Sequence, residues 1–314
     1  EVSGNSPAVT AEPGGAVSLR GNSGVQILID GKPSALVSNG NTTGLQGLSA
    51  DLVSQIEVIT NPSVKYEAEG TAGMINIVLK KEKKSGLNGS VNLSAGYPSL
   101  INTSLNLTLK REKYTLFGNA SLRNDIIYGV GQALQEARVT EDSLQIFQSE
   151  SVYNHGGPTG TFRLGGDWHV TPNLTLTASL FTMLGEETNF SEIRYENFLN
   201  DLEAFQGGSI RTENRLTDMR RREYAATLTK TFSQNKQEVR ADFRFQQNAN
   251  VAKSDFLETF IGVDTQPIVD EDLLQKSTFQ YAERRLIAKL DYTLPIGEEQ
   301  QFEMGGQNSF RNIT

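Results

Sequence analysis

The side chains best suited to acid–base or metal chemistry are few and poorly spaced. His155 and His169 are the only two histidines, one in a polar stretch and one in a strand pattern, without the spacing of a zinc motif. Cysteine is absent, which removes disulfide frameworks, cysteine zinc sites and thiol nucleophiles together. Asp270-Glu271-Asp272 gathers acid but lacks the spaced ligands and central glycine of a calcium loop, and it reads as a solvated loop. Gly165-Gly166 lies inside a strand pattern, not at the strand-to-helix turn that a phosphate loop requires. No catalytic, metal or cofactor site is expected, and the chain does not read as an enzyme.

One cationic cluster remains. Arg220-Arg221-Arg222 begins an alternating segment, and arginine forks match phosphate geometry. Lipopolysaccharide phosphates are one ligand class for all three; the alternative is a hydrated rim partly balanced by Glu223. A net charge of −8 argues against nucleic acid as a partner, because that footprint is a basic stripe.

The elements that carry these side chains are strands. Hydrophobic residues make up 37% of the chain and mean hydropathy is −0.38, with no run near the roughly 20 apolar residues of a membrane helix. A membrane β-barrel remains compatible, since only alternate strand residues must be apolar. From Ser85 onward the pattern alternates. Val239, Ala241, Phe243 and Phe245 share one face, and Arg240, Asp242, Arg244 and Gln246 the other. Leu286, Ala288, Leu290, Tyr292 and Leu294 repeat this, with Ile287 an apolar exception on the polar face. Nine such segments are expected, near 86–96, 101–111, 114–123, 158–170, 173–185, 220–232, 236–247, 278–294 and 300–311.

Short turns at Glu112-Lys113, Thr171-Pro172, Ser233-Gln234-Asn235 and Pro295 to Glu299 alternate with long polar stretches at 124–157, 186–219 and 248–277. With strands running up and down, all three long stretches fall at one end, as external loops do in outer-membrane barrels. Tyr97, Tyr114, Trp168, Phe232 and Tyr292 stand near strand ends, as an interfacial girdle or as ordinary strand residues. Inward polar residues such as Arg163, Asp167, Arg240, Asp242 and Arg244 fill a polar lumen. The segment before Ser85 differs: strands at Val25 to Ile29, Gln55 to Thr60 and Met74 to Leu79, Gly-rich turns, and one helical turn at Leu48 to Val53 with Ser49 as its N-cap.

Ser18-Leu19-Arg20-Gly21-Asn22 and Val25-Gln26-Ile27-Leu28-Ile29-Asp30-Gly31-Lys32-Pro33 resemble the plug domain of TonB-dependent outer-membrane receptors. So does Gln55-Ile56-Glu57-Val58-Ile59-Thr60-Asn61-Pro62-Ser63, followed by Lys65-Tyr66-Glu67-Ala68-Glu69-Gly70-Thr71-Ala72-Gly73-Met74-Ile75-Asn76-Ile77-Val78-Leu79-Lys80. The wording is most similar to the Bacteroidetes-type outer-membrane β-barrel branch. The resemblance implies a mainly β chain: a small α+β plug over 1–84, then antiparallel up-and-down transmembrane strands over 85–314, in the outer membrane with the plug toward the periplasm and the long loops outside. It marks Arg20, Gly21, Asp30, Gly31, Glu57, Pro62, Tyr66, Gly70, Gly73 and Asn76 as plug-motif positions. Asp30-Gly31 closes a tight turn, and Gly70 and Gly73 turn the backbone ahead of the last plug strand. Arg20 and Glu57 either face the barrel wall and pair with it, or are surface charges.

A barrel of this family has about 22 strands, so the chain is expected to hold a plug and an incomplete barrel. The TonB-contacting segment and the first plug strand are expected upstream. The implied function is energised uptake of an external ligand, with TonB, outer-membrane lipid and lipopolysaccharide as partners. A structural or interaction barrel without transport and a soluble β-rich binding module are the alternatives.

Overall fold

The structure, a computed structural model, describes residues 9–11, 17–19, 25–29, 32–33, 53–59, 73–79 and 85–314, apart from 98, 141–142, 233–236, 269–271 and 297–299. Six short strands come first: β1 (Val9–Ala11), β2 (Val17–Leu19), β3 (Val25–Ile29), β4 (Lys32–Pro33), β5 (Val53–Ile59) and β6 (Gly73–Leu79). β1 and β2 pair antiparallel, and the other four form a sheet in the order β4-β3-β6-β5. β3 and β6 are parallel and central. Their described side chains are buried on both faces, Leu28 and Met74 as well as Ile27, Ile75 and Ile77, which is why apolar residues fill both parities of these segments, interrupted only by Gln26 in β3 and Asn76 in β6. Gly73 opens β6 at φ 140°, a conformation that glycine tolerates and β-branched residues do not. No helix occurs among the described residues. Of the expected helical turn at Leu48 to Val53, only Val53 is described, and it begins β5.

Nine strands follow: β7 (Gly86–Gly96), β8 (Leu100–Lys110), β9 (Tyr114–Thr140), β10 (Ser143–Thr171), β11 (Leu174–Leu199), β12 (Phe205–Thr231), β13 (Glu238–Ile261), β14 (Leu273–Ile296) and β15 (Gln300–Ile313). They form one antiparallel sheet in strict sequence order, and the edge strands β7 and β15 are not paired with each other. Each expected segment falls within one of these strands or overlaps it.

The long stretches differ from expectation. Residues 124–157, 186–219 and 248–277 are not extended loops: most of each continues the flanking strands, so that β9 and β10 stay paired from Tyr114–Trp168 to Thr140–Ser143. β11 and β12 likewise stay paired to Phe198–Phe205, with a bulge at the last step after Asn197–Gly207. In those outer halves apolar residues such as Tyr128, Val130, Leu134 and Val152 are scattered among polar ones and exposed, so the alternation is broken, yet ladder pairing still satisfies every backbone donor and acceptor it reaches. The hairpin tips all lie at one end. There Asn200, at φ 69°, accepts the Leu144 N–H on its Oδ1 at 2.8 Å and donates its own N–H to the Leu144 carbonyl at 2.7 Å. At the opposite end Tyr114 and Trp168 are cross-strand partners, and Phe232 and Tyr292 stand at this same end, beyond β12 and near the end of β14. Tyr97 stands at the tip end, after β7.

Candidate functional site

The two sheets meet through an apolar seat. Leu19, Val25, Ile27, Ile75 and Ile77 form one packed cluster with Phe181 and Met183 of β11, and Val53, Ile56 and Val58 pack against it. Met183 has no exposed surface and Phe181 only 6%. Both occupy the face of β11 that also carries Thr175, Thr177 and Ser179, so two large apolar residues interrupt a polar row. That interruption is the signal in the sequence for the seat.

Cross-strand partners in an antiparallel sheet share a face, so the register extends this inner face along the wall. Arg163 stands opposite Phe181, and Asp167 opposite Thr177, from which it accepts a hydrogen bond at 2.7 Å. The Arg163 guanidinium lies 5.2 Å from the centre of the Phe117 ring. On the other side, Phe181 is opposite Glu223 and Met183 opposite Arg221. Beyond them follow Glu223–Gln246–Arg285 and Arg221–Asn248–Glu283.

The wall is therefore a charged, internally paired surface. Gln246 donates to Glu223 at 2.8 Å, and Arg244 lies 3.8 Å from the same carboxylate. Asp242 accepts from Thr227 at 2.6 Å and pairs with Arg240 at 2.9 Å. Glu283 accepts from Asn248 at 3.2 Å and Tyr281 at 2.9 Å, and pairs with Arg311. The sequence-derived inward residues Arg163, Asp167, Arg240, Asp242 and Arg244 all lie on this face, and Ile287 is buried on it.

Further toward the hairpin tips the same face holds a polar recess of about 430 Å³ lined by Tyr195, Asn197, Ser209, Arg211, Glu213 and Glu258 among others. Glu258 accepts from Ser209 at 2.7 Å and lies 3.5 Å from Arg211, whose guanidinium sits 5.0 Å from the Phe256 ring centre. Side chains of this kind bind a polar ligand by hydrogen bonds and ion pairing; they do not form a nucleophile–base pair.

Of the plug-motif positions, Glu57, Gly73 and Asn76 are described, and Arg20, Gly21, Asp30, Gly31, Pro62, Tyr66 and Gly70 lie outside the described residues. Glu57 and Asn76 are cross-strand partners, and the Asn76 Nδ2 donates to Glu57 at 2.8 Å. Gln55 donates to the other oxygen at 2.6 Å. Glu57 alternates with Ile56 and Val58, so it stands on the face opposite Phe181 and Met183 and is bonded within its own sheet.

The arginine cluster is divided. Arg221 is buried on the inner face, and its Nη1 has no hydrogen-bond partner. Arg220 and Arg222 are exposed on the outer face. Glu223 points inward with Arg221 and does not balance the outer pair. His169 lies 3.1 Å from the Thr175 hydroxyl through Nδ1, and His155 stacks on Tyr153 at 6.2 Å. Asp270 and Glu271 lie outside the described residues.

Residues 2–74 match the family model described as the TonB-dependent receptor plug domain, and 230–314 that of the outer membrane protein beta-barrel family. Among characterised proteins compared by sequence, none matches. The fold is similar to FpvA of Pseudomonas aeruginosa solved with heterologous pyoverdines, at 13% identity and TM-score 0.55, covering 100% of this chain and 49% of that one. It is also similar to the ferripyoverdine receptor of the outer membrane of Pseudomonas aeruginosa bound to ferripyoverdine, at 13% identity and TM-score 0.54, with the same coverage. The FpvAI–pyocin S2 complex matches at 14% identity and TM-score 0.50, covering 98% of this chain and 49% of that one. The chain thus spans about half the length of the solved receptors it matches. A TonB-dependent receptor plug domain at the front, an outer-membrane beta-barrel family segment at the back and a receptor fold across the whole identify the chain with the TonB-dependent receptors of the bacterial outer membrane.

Proposed function

We propose that this chain forms the plug, over 1–84, and about the first nine wall strands, over 85–314, of a receptor that imports an external ligand with energy delivered through TonB. The hairpin tips face outward and the plug faces the periplasm. The observation that carries the reading is the seat: a sheet packed through Ile75, Ile77 and Val25 onto, among the described residues, two apolar wall residues, Phe181 and Met183, beside a wall face that is largely polar and charged. A lumen element held by a small apolar contact within a polar surround can be displaced without exposing a large core. The polar recess around Tyr195, Arg211 and Glu258 supports ligand capture on the outer side of the plug. The wording of the Val25–Pro33 and Gln55–Lys80 motifs supports the Bacteroidetes-type branch.

Calorimetry of the complete protein in detergent against the periplasmic domain of TonB, with and without fractionated extracts of candidate ligands, tests this. Energised import predicts binding that strengthens with at least one fraction. No binding under any condition would favour a structural or interaction barrel.

A further inference from the structure

The outer face of β12 to β14 carries two features that ligand import does not use, and the register aligns them into one ladder. Moving toward the hairpin tips, successive outward levels are Leu228–Ala241–Leu290, Ala226–Phe243–Ala288, Tyr224–Phe245–Leu286 and Arg222–Gln247–Arg284. In the first two levels large and small side chains alternate, and the alanines leave an apolar recess of about 630 Å³ framed by Leu176, Leu228, Phe243 and Leu290. The third level is a ridge where the Tyr224 and Phe245 rings stack at 6.4 Å. At the fourth the apolar belt ends in guanidinium groups.

Arg222 and Arg284 are exposed, and among the described residues neither side chain has a hydrogen-bond or ion-pair partner. The adjacent acid, Glu223, is on the opposite face and engaged there by Gln246 and Arg244. Two strands apart, the arginines stand about 10 Å from each other, with the Gln247 amide between. The arginine level lies four residues beyond Phe243 along β13, about 13 Å, which one lipid spans from headgroup to chain. Farther out, Glu186 and Asp218 face each other across β11 and β12 on this same outer face. Their carboxylates repel phosphate and confine it to the arginine level. A protein docked on this surface would bury two unpaired guanidinium groups, at a cost of several kcal/mol each, whereas a lipid leaves them at the polar boundary and supplies their counter-charge.

We infer that this ladder binds a phosphorylated acyl lipid of the surrounding outer leaflet, with Arg222, Gln247 and Arg284 on the headgroup phosphates and an acyl chain in the recess below. Arg221, on the inner face, takes no part. The inference depends on outer-membrane location and not on import.

Native mass spectrometry of the complete protein tests it, after incubation with lipid A or with the same lipid stripped of its phosphates, folding being checked by heat-modifiable gel mobility. The wild-type protein should retain the phosphorylated lipid over the stripped one by about tenfold. Arg222→Gln/Arg284→Gln should abolish that preference while Arg221→Gln preserves it, and Ala288→Phe, which fills the recess, should lower retention of both lipids. Equal retention of the two lipids by the wild type, or an unchanged preference in the double variant, would overturn the phosphate assignment. Unchanged retention in folded Ala288→Phe would overturn the acyl assignment.

Discussion

The Glu223 carboxylate is shared by Gln246 and Arg244 next to the seat, and all three side chains are nearly fully buried. Glu223→Ala leaves the Arg244 charge uncompensated and is expected to destabilise the complete protein by about 3–5 kcal/mol in denaturant titration. Replacing Glu223 and Arg244 together by leucine should cost much less, because no charge is then left buried alone. Arg221 presents the reverse case. Its Nη1 is already buried without a partner beside Met183, so Arg221→Met should stabilise the packed state by about 1–3 kcal/mol in the same titration. Three consecutive arginines read as one cluster when only composition is weighed. Counting parity separates them: Tyr224, Ala226 and Leu228 continue the row of Arg220 and Arg222, while Glu223 and Thr227 continue that of Arg221. The inward wall residues are legible for this reason, whereas Phe181 and Met183 share the row of Thr175, Thr177 and Ser179, and strand parity alone does not say which lumen positions a second sheet covers.

Strands were legible where one face meets lipid. Leu105, Leu107, Phe243 and Leu290 are exposed on the outer face, and their alternation with polar residues is the signal that located the nine segments. Beyond the apolar belt both faces are wetted, alternation disappears, and pairing alone holds the hairpins. Gly156 shows how tight that pairing is: at φ 138°, a Cβ there would come within 1.8 Å of the Asp125 carbonyl oxygen. Gly156→Ala should therefore part β9 from β10 locally, seen as lost amide-exchange protection over 124–157 with the belt strands still protected. The seat makes a second prediction at this scale. Phe181→Ala is expected to weaken packing of the N-terminal sheet on the wall by about 3–5 kcal/mol and Met183→Ala by about 2–5 kcal/mol. Limited proteolysis within 1–84 should report this as faster cleavage, with 85–314 unaffected.

At the scale of the whole molecule, the chain is a sheet with a lipid face, a largely polar and charged inner face, and a small domain resting on Phe181 and Met183. Energised import requires that this domain shift or partly unfold when TonB engages, and Met183 is the residue whose environment must then change most, from no solvent exposure to a wet lumen. The 314 residues contain no cysteine, so a single thiol reports the change cleanly once any cysteine elsewhere in the complete protein is removed. The most direct measurement is the rate at which a membrane-impermeant maleimide labels Met183→Cys in intact cells, with and without TonB, in the presence of a nutrient extract that supports growth. Labelling that accelerates with extract only when TonB is present is the predicted result. A thiol that stays equally protected with and without TonB, in cells that take up the extract, would contradict opening at this seat.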